Sequence, residues 1–87
     1  MRFRYISFVD CDTGNICFHV YVEDFRNFPM LFFTGTYGGL YYNDLGTGEI
    51  TQVLTSFCFS LRGCSLASAR RKLKKAITCW LEHVKKE

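Results

Sequence analysis

One amphipathic stripe constrains this chain more than any other feature. Leu66, Ala69, Leu73, Ala76, Ile77, Trp80, Leu81 and Val84 recur at offsets of 0, 3, 7, 10, 11, 14, 15 and 18. At roughly 100° per residue they fall within about 140° of one another, which is the apolar face of a helix. Ser65 stands where an N-cap hydroxyl accepts an orphan backbone N–H. Lys85 and Lys86 stand in the last turn, where cations suit the negative end of the helix dipole. A lone helix over 65–86 cannot bury its own stripe, so the rest of the chain must supply the surface that covers it.

Residues 1–61 carry strand and turn signals. "FRYISFV" (3–9) is aromatic and β-branched, and "DCDTGN" (10–15) supplies turn residues. "ICFHVYV" (16–22) then alternates, with Ile16, Phe18, Val20 and Val22 on one face and Cys17, His19 and Tyr21 on the other. These segments form a β-hairpin whose tyrosine and histidine sit half-wet on the outer face. "EDFRNFP" (23–29) is a polar connection closed by the only proline. "MLFFT" (30–34) is a short buried strand, and "GTYGG" (35–39) interrupts it. "LYYN" (40–43) and "EITQVLTSFCFSL" (49–61) flank "DLGTG" (44–48) as a second hairpin. The last strand is long enough to need a bulge or bend. There is no internal repeat and no linker. The expectation is one α+β domain over 1–87: a β-meander over 1–61, forming an antiparallel sheet of four or five strands, packed on one C-terminal helix over 65–86.

Composition limits the classes of function. An apolar fraction of 48%, with nine Phe and five Tyr, is too high for a disordered chain. No apolar run approaches the ~18–20 residues that span a bilayer. "MRFRYISFVDCD" brings in charge and turn residues too early for a signal-peptide core. A soluble, unexported, cytoplasmic protein with no membrane partner is expected. Cys11, Cys17, Cys58, Cys64 and Cys79 are an odd count, which with no export signal favours reduced thiols.

Charge is segregated. Residues 1–61 carry three Arg and no Lys against six acids, a net of −3, whereas residues 62–87 carry eight basic groups against Glu82 and Glu87, a net of +6. Arg70, Arg71, Lys72, Lys74 and Lys75 fall within six consecutive positions. They are the solvated back of the helix or a surface for an anionic partner. Base-stacking readers place aromatics beside cations, and here the aromatic half is the acidic half. Backbone-only contact with nucleic acid survives that objection.

The glycine-bearing stretch from 35 to 49 lacks the Lys-Ser/Thr and following helix of a phosphate loop, and it lies between strands, unlike a dinucleotide fingerprint. Its tyrosines, Tyr37, Tyr41 and Tyr42, are candidate protein contacts, because large amphipathic rings carry interface energy; alternatively, half of them belong to the core. Cys79 and His83 at i, i+4, and Cys11, Cys17 and His19, are possible metal ligands by type. No C-x-x-C knuckle accompanies them, so no metal and no cofactor are expected. The acids sit mostly in turns, their default place, and no catalytic constellation stands out, so the chain is expected not to be an enzyme.

Two resemblances bear on function. "FSLRGCSLASARRKLKKAITCWLEHV" (59–84) resembles the strand–Gly–helix segment of HicB-type antitoxins, through Gly63, Ser65, Leu66 and Ala69. The acidic first helical turn common in that family is absent here. In type, a tiny aromatic-rich α+β domain with segregated charge is similar to phage-encoded inhibitors of host defence, including anti-CRISPR proteins. That resemblance implies a non-catalytic module that occludes a host complex such as a CRISPR effector, in the host cytoplasm. The expected contacts are Tyr37, Tyr41, Tyr42 and the polar helix face from Arg70 to Lys75. The alternatives are a small nucleic-acid-binding protein using Arg70, Arg71, Lys72, Lys74 and Lys75, and a HicB-like antitoxin.

Overall fold

The computed structural model describes residues 2–24, 30–35, 38–55, 59–60 and 65–85. In chain order these form β1 (Phe3–Val9), β2 (Asn15–Val22), β3 (Met30–Thr34), β4 (Leu40–Asn43), β5 (Ile50–Leu54), a short β6 (Phe59–Ser60) and α1 (Leu66–Lys85). The sheet is an antiparallel meander in the order β1-β2-β3-β4-β5. The protein is α+β, as the helical stripe and the alternating strands require.

The expected single strand over 49–61 is two pieces. β5 pairs β4, with a register shift between Leu40 and Tyr41. β6 instead returns to β2, through Asn15↔Ser60 and Ile16↔Phe59. This is possible because β3 covers only His19–Val22 of that edge of β2. Where β3 ends, the buried Thr34 hydroxyl takes the place of a ladder carbonyl and accepts the Phe18 N–H at 2.9 Å.

Both tight hairpins are closed by the same type of loop. Asp10–Asn15 and Asp44–Glu49 share the pattern D-x-x-T-G-x. Asp10 Oδ1 accepts the N–H groups of Asp12 and Thr13 at 2.9 and 3.0 Å. Asp44 Oδ1 accepts those of Gly46 and Thr47 at 2.9 and 3.1 Å. The threonine hydroxyls accept from Asn15 and Glu49, each at 3.2 Å. The glycines that follow these threonines, Gly14 and Gly48, have φ of 72° and 78°, a conformation that glycine reaches without a Cβ penalty.

Strand parity divides the residues between two faces. Ile16, Phe18, Val20 and Val22 of β2, Met30 and Phe32 of β3, and Leu40 of β4 are buried with Ala69, Leu73, Ile77 and Leu81 of α1. Phe3, Tyr5, Tyr42, Val53, Ala76 and Trp80 pack around this core. Ser65 caps the helix as expected, accepting the Ser68 N–H at 3.2 Å on its hydroxyl. Leu66 departs from the stripe and is 45% exposed. It is the first helical residue, and the buried face begins one turn later at Ala69.

Candidate interaction surface

One helix covers one face of the sheet. On the other face the strand registers align His19 with Ile6 on one side and Phe33 on the other, Phe33 with Tyr41, and Tyr41 with Gln52. This row crosses all five strands of the meander, about 19 Å at the usual interstrand spacing. The rings touch in sequence. Phe8 meets His19 edge-on at 5.4 Å, His19 meets Phe33 edge-on at 6.4 Å, and Phe33 stacks on Tyr41 at 5.4 Å. A second row runs Arg4, Tyr21, Leu31, Asn43 and Ile50. On this face Ile6, Phe8 and Ile50 are 44%, 47% and 57% exposed, and His19, Leu31, Phe33 and Tyr41 are half-buried. Cys17, opposite Phe8, is 2% exposed and lies outside the helix-side core.

Tyr41 has a prepared seat. A Cβ on Gly39 would fall 2.9 Å from the Tyr41 hydroxyl and 3.1 Å from its ring. A Cβ on Gly35 would fall 3.1 Å from the same ring and 2.7 Å from the Gly38 carbonyl. The glycines before β4 therefore make room for an aromatic ring, a role beyond that of turn residues.

Among the described residues, formal charge is sparse on this face and confined to one corner. Arg4 Nε donates to Glu23 at 2.6 Å, and its guanidinium carbon lies 4.5 Å from the centre of the Tyr21 ring. Arg2 adds a second contact to Glu23 at 3.3 Å. Hydrogen bonds from Arg4 and then Arg2 hold the Glu23 carboxyl below its ordinary pKa. Asp24 is lowered in the same way by the Arg2 backbone N–H.

The expected contact residues are split between surfaces. Tyr41 lies on the open face. Tyr42, its neighbour on a strand, points the other way and packs between Phe32 at 5.2 Å and Trp80 at 5.4 Å. It belongs to the packing beneath the helix, on the face away from Tyr41 and Phe33. Tyr37 lies outside the described residues. Arg70, Arg71, Lys72, Lys74 and Lys75 are all exposed, on the opposite side of the molecule from the open face. Phe8, His19 and Phe33 share this face with Tyr41, and the sequence alone does not single them out. Phe33 is hidden inside a continuous apolar run, whose alternating burial appears only once the sheet is paired.

Among the described residues no group of three or more His, Cys, Asp and Glu side chains is arranged to hold a metal ion. Cys11 and Cys79 are exposed thiols and Cys17 is a buried one, while Cys58 and Cys64 lie outside the described residues. No helix among the described residues is long and apolar enough to cross a membrane. Comparison with protein-family models, with curated proteins and with solved structures finds no match.

Proposed function

We propose that this chain is a non-catalytic protein-binding module whose contact surface is the helix-free face of the sheet. The observation that carries the reading is the continuous run of rings Phe8, His19, Phe33 and Tyr41 on a face that no element of the described fold covers. Soluble proteins rarely leave such a contiguous apolar surface open unless something docks on it. The face is broad and pleated, whereas small-molecule sites are concave. The charged corner formed by Arg2, Arg4 and Glu23 is already paired within the chain, which fits a protein partner with an apolar patch better than a polyanion. Within that class the reading extends to a phage-type inhibitor acting in the host cytoplasm, which occludes a site on a defence complex such as a CRISPR effector.

Two measurements test the two levels of this reading. A photo-crosslinking residue at Phe33 should capture a specific host protein, and the same residue at exposed Ala67, on the first turn of α1, should not. Equal capture at both positions would remove the sheet face as the contact surface. Expression in a bacterium with an active CRISPR system should raise the plating efficiency of a targeted phage, and Phe33→Asp should abolish the rise. No rise with the unaltered chain would overturn the inhibitor assignment.

A further inference from the structure

The far side of α1 has the opposite character to the sheet face. Arg71, Lys74 and Lys75 lie along one open stretch of the helix surface, together with Thr78, Cys79 and Glu82. Arg70 and Lys74 lean over the flank towards β1, with the guanidinium 5.5 Å from the Tyr5 ring centre and the ammonium 5.9 Å from that of Phe3. Residues four apart on a helix lie about 6 Å apart along its axis. The pairs Arg70–Lys74 and Arg71–Lys75 therefore form two adjacent lines of cations. Glu82 is the only acid within α1. Among the described residues, the ion pairs are those of Arg2 and Arg4 with Glu23, and neither involves a helix cation.

We propose that this side of α1 binds the phosphate backbone of duplex DNA without reading its bases. The first ground is charge complementarity: Arg71, Lys74 and Lys75 share one ridge, with Arg70 and Lys72 exposed on its flanks, and these cations face a polymer that carries one negative charge per ~1.7 Å. The second is what the ridge lacks. Protein interfaces are anchored by apolar and aromatic groups at their centre. Between Arg71 and Glu82 the ridge offers charged side chains, Thr78 and a thiol, and no ring among the described residues. The rings nearest the cations, Tyr5 and Phe3, are half-buried against the core and not free to stack on bases. A polyanion needs only the cations, so an acidic protein is the less favoured occupant. This inference is independent of the reading of the sheet face and uses none of its residues.

The experiment is fluorescence anisotropy of the full chain with labelled 20-base-pair duplexes of unrelated sequence. If three phosphates are neutralised, the log–log slope against salt is about −2.7, and affinity falls about 40-fold between 50 and 200 mM. Arg71→Glu with Lys75→Glu should weaken binding at least tenfold and flatten the slope, with an unchanged melting temperature because both sites are exposed. The charge-preserving pair Arg71→Lys and Lys75→Arg should bind like the unaltered chain, and so should Phe33→Asp. Three results would overturn the proposal: no binding at 50 mM salt, equal binding of the double Glu variant, or polyglutamate bound as tightly as DNA. A tenfold preference among duplex sequences would overturn the backbone-only assignment.

Discussion

Phe33 and Tyr41 face each other across the β3–β4 ladder, with ring centres 5.4 Å apart and planes 23° from parallel. The pair lies at the middle of the open face, and aromatic pairs of this kind contribute about 0.5–1.5 kcal/mol beyond area burial. A double-mutant cycle of Phe33→Ala and Tyr41→Ala should give a coupling energy in that range by urea unfolding. A coupling near zero would show that the rings do not hold each other in place.

Three glycines with positive φ should respond differently to alanine. A Cβ at Gly14 or Gly48 meets nothing within 4 Å, so the cost there is conformational alone. It should be about 1–2 kcal/mol at each site, equal in the two loops and additive, because the loops share no residues. Gly39→Ala has the same backbone penalty and also pushes on Tyr41. It should cost more than either loop variant and disturb the near-ultraviolet dichroism of Tyr41. Equal effects of all three substitutions would exclude the seat for Tyr41.

Thr34 stands in for a strand at the point where β3 ends. Thr34→Val keeps the shape and replaces the hydroxyl that accepts the Phe18 N–H. The expected loss is about 1–3 kcal/mol, the usual cost of removing the acceptor from a buried donor. Faster amide exchange at Phe18 should accompany it, and unchanged exchange there would contradict the assignment.

Glu23 links the start of β1 to the end of β2. Its carboxyl is held below the ordinary range by Arg4 and then Arg2. A depressed folded-state pKa means that the contribution to stability is present above the ordinary carboxylate value. It is lost as pH falls through the folded value. Melting temperature should therefore decline on acidification, and Glu23→Gln should flatten that decline without changing its sign elsewhere. Because the carboxylate is open to solvent, the effect should shrink in high salt. An identical acid limb in the variant would contradict the linkage.

The helix and the hairpins are legible in the sequence because each depends on a short-range signal. A 3.6-residue period and a hydroxyl cap define α1. Strict alternation over 16–22 defines β2. Tyr41 and Tyr42 are not separable that way, because only the pairing of β4 with its neighbours decides which of two adjacent side chains faces the helix. The return of β6 to β2 is likewise a long-range choice, made available by the early end of β3. The matched loops are written in D-x-x-T-G-x, but each alone looks like ordinary turn composition. The open aromatic face follows from arithmetic that composition does not perform: one helix, two faces, and rings on both.

The pairing of Asn15 with Ser60 also orders events as the chain leaves the ribosome. The meander can assemble from neighbouring hairpins while synthesis continues. The edge of β2 at Asn15 and Ile16 cannot close until residue 60 has emerged, and α1, which follows β6 in the chain, arrives after that. A nascent chain stalled before this point would expose an unpaired strand edge and both apolar faces of the sheet. That intermediate is the species most exposed to aggregation and to chaperone capture.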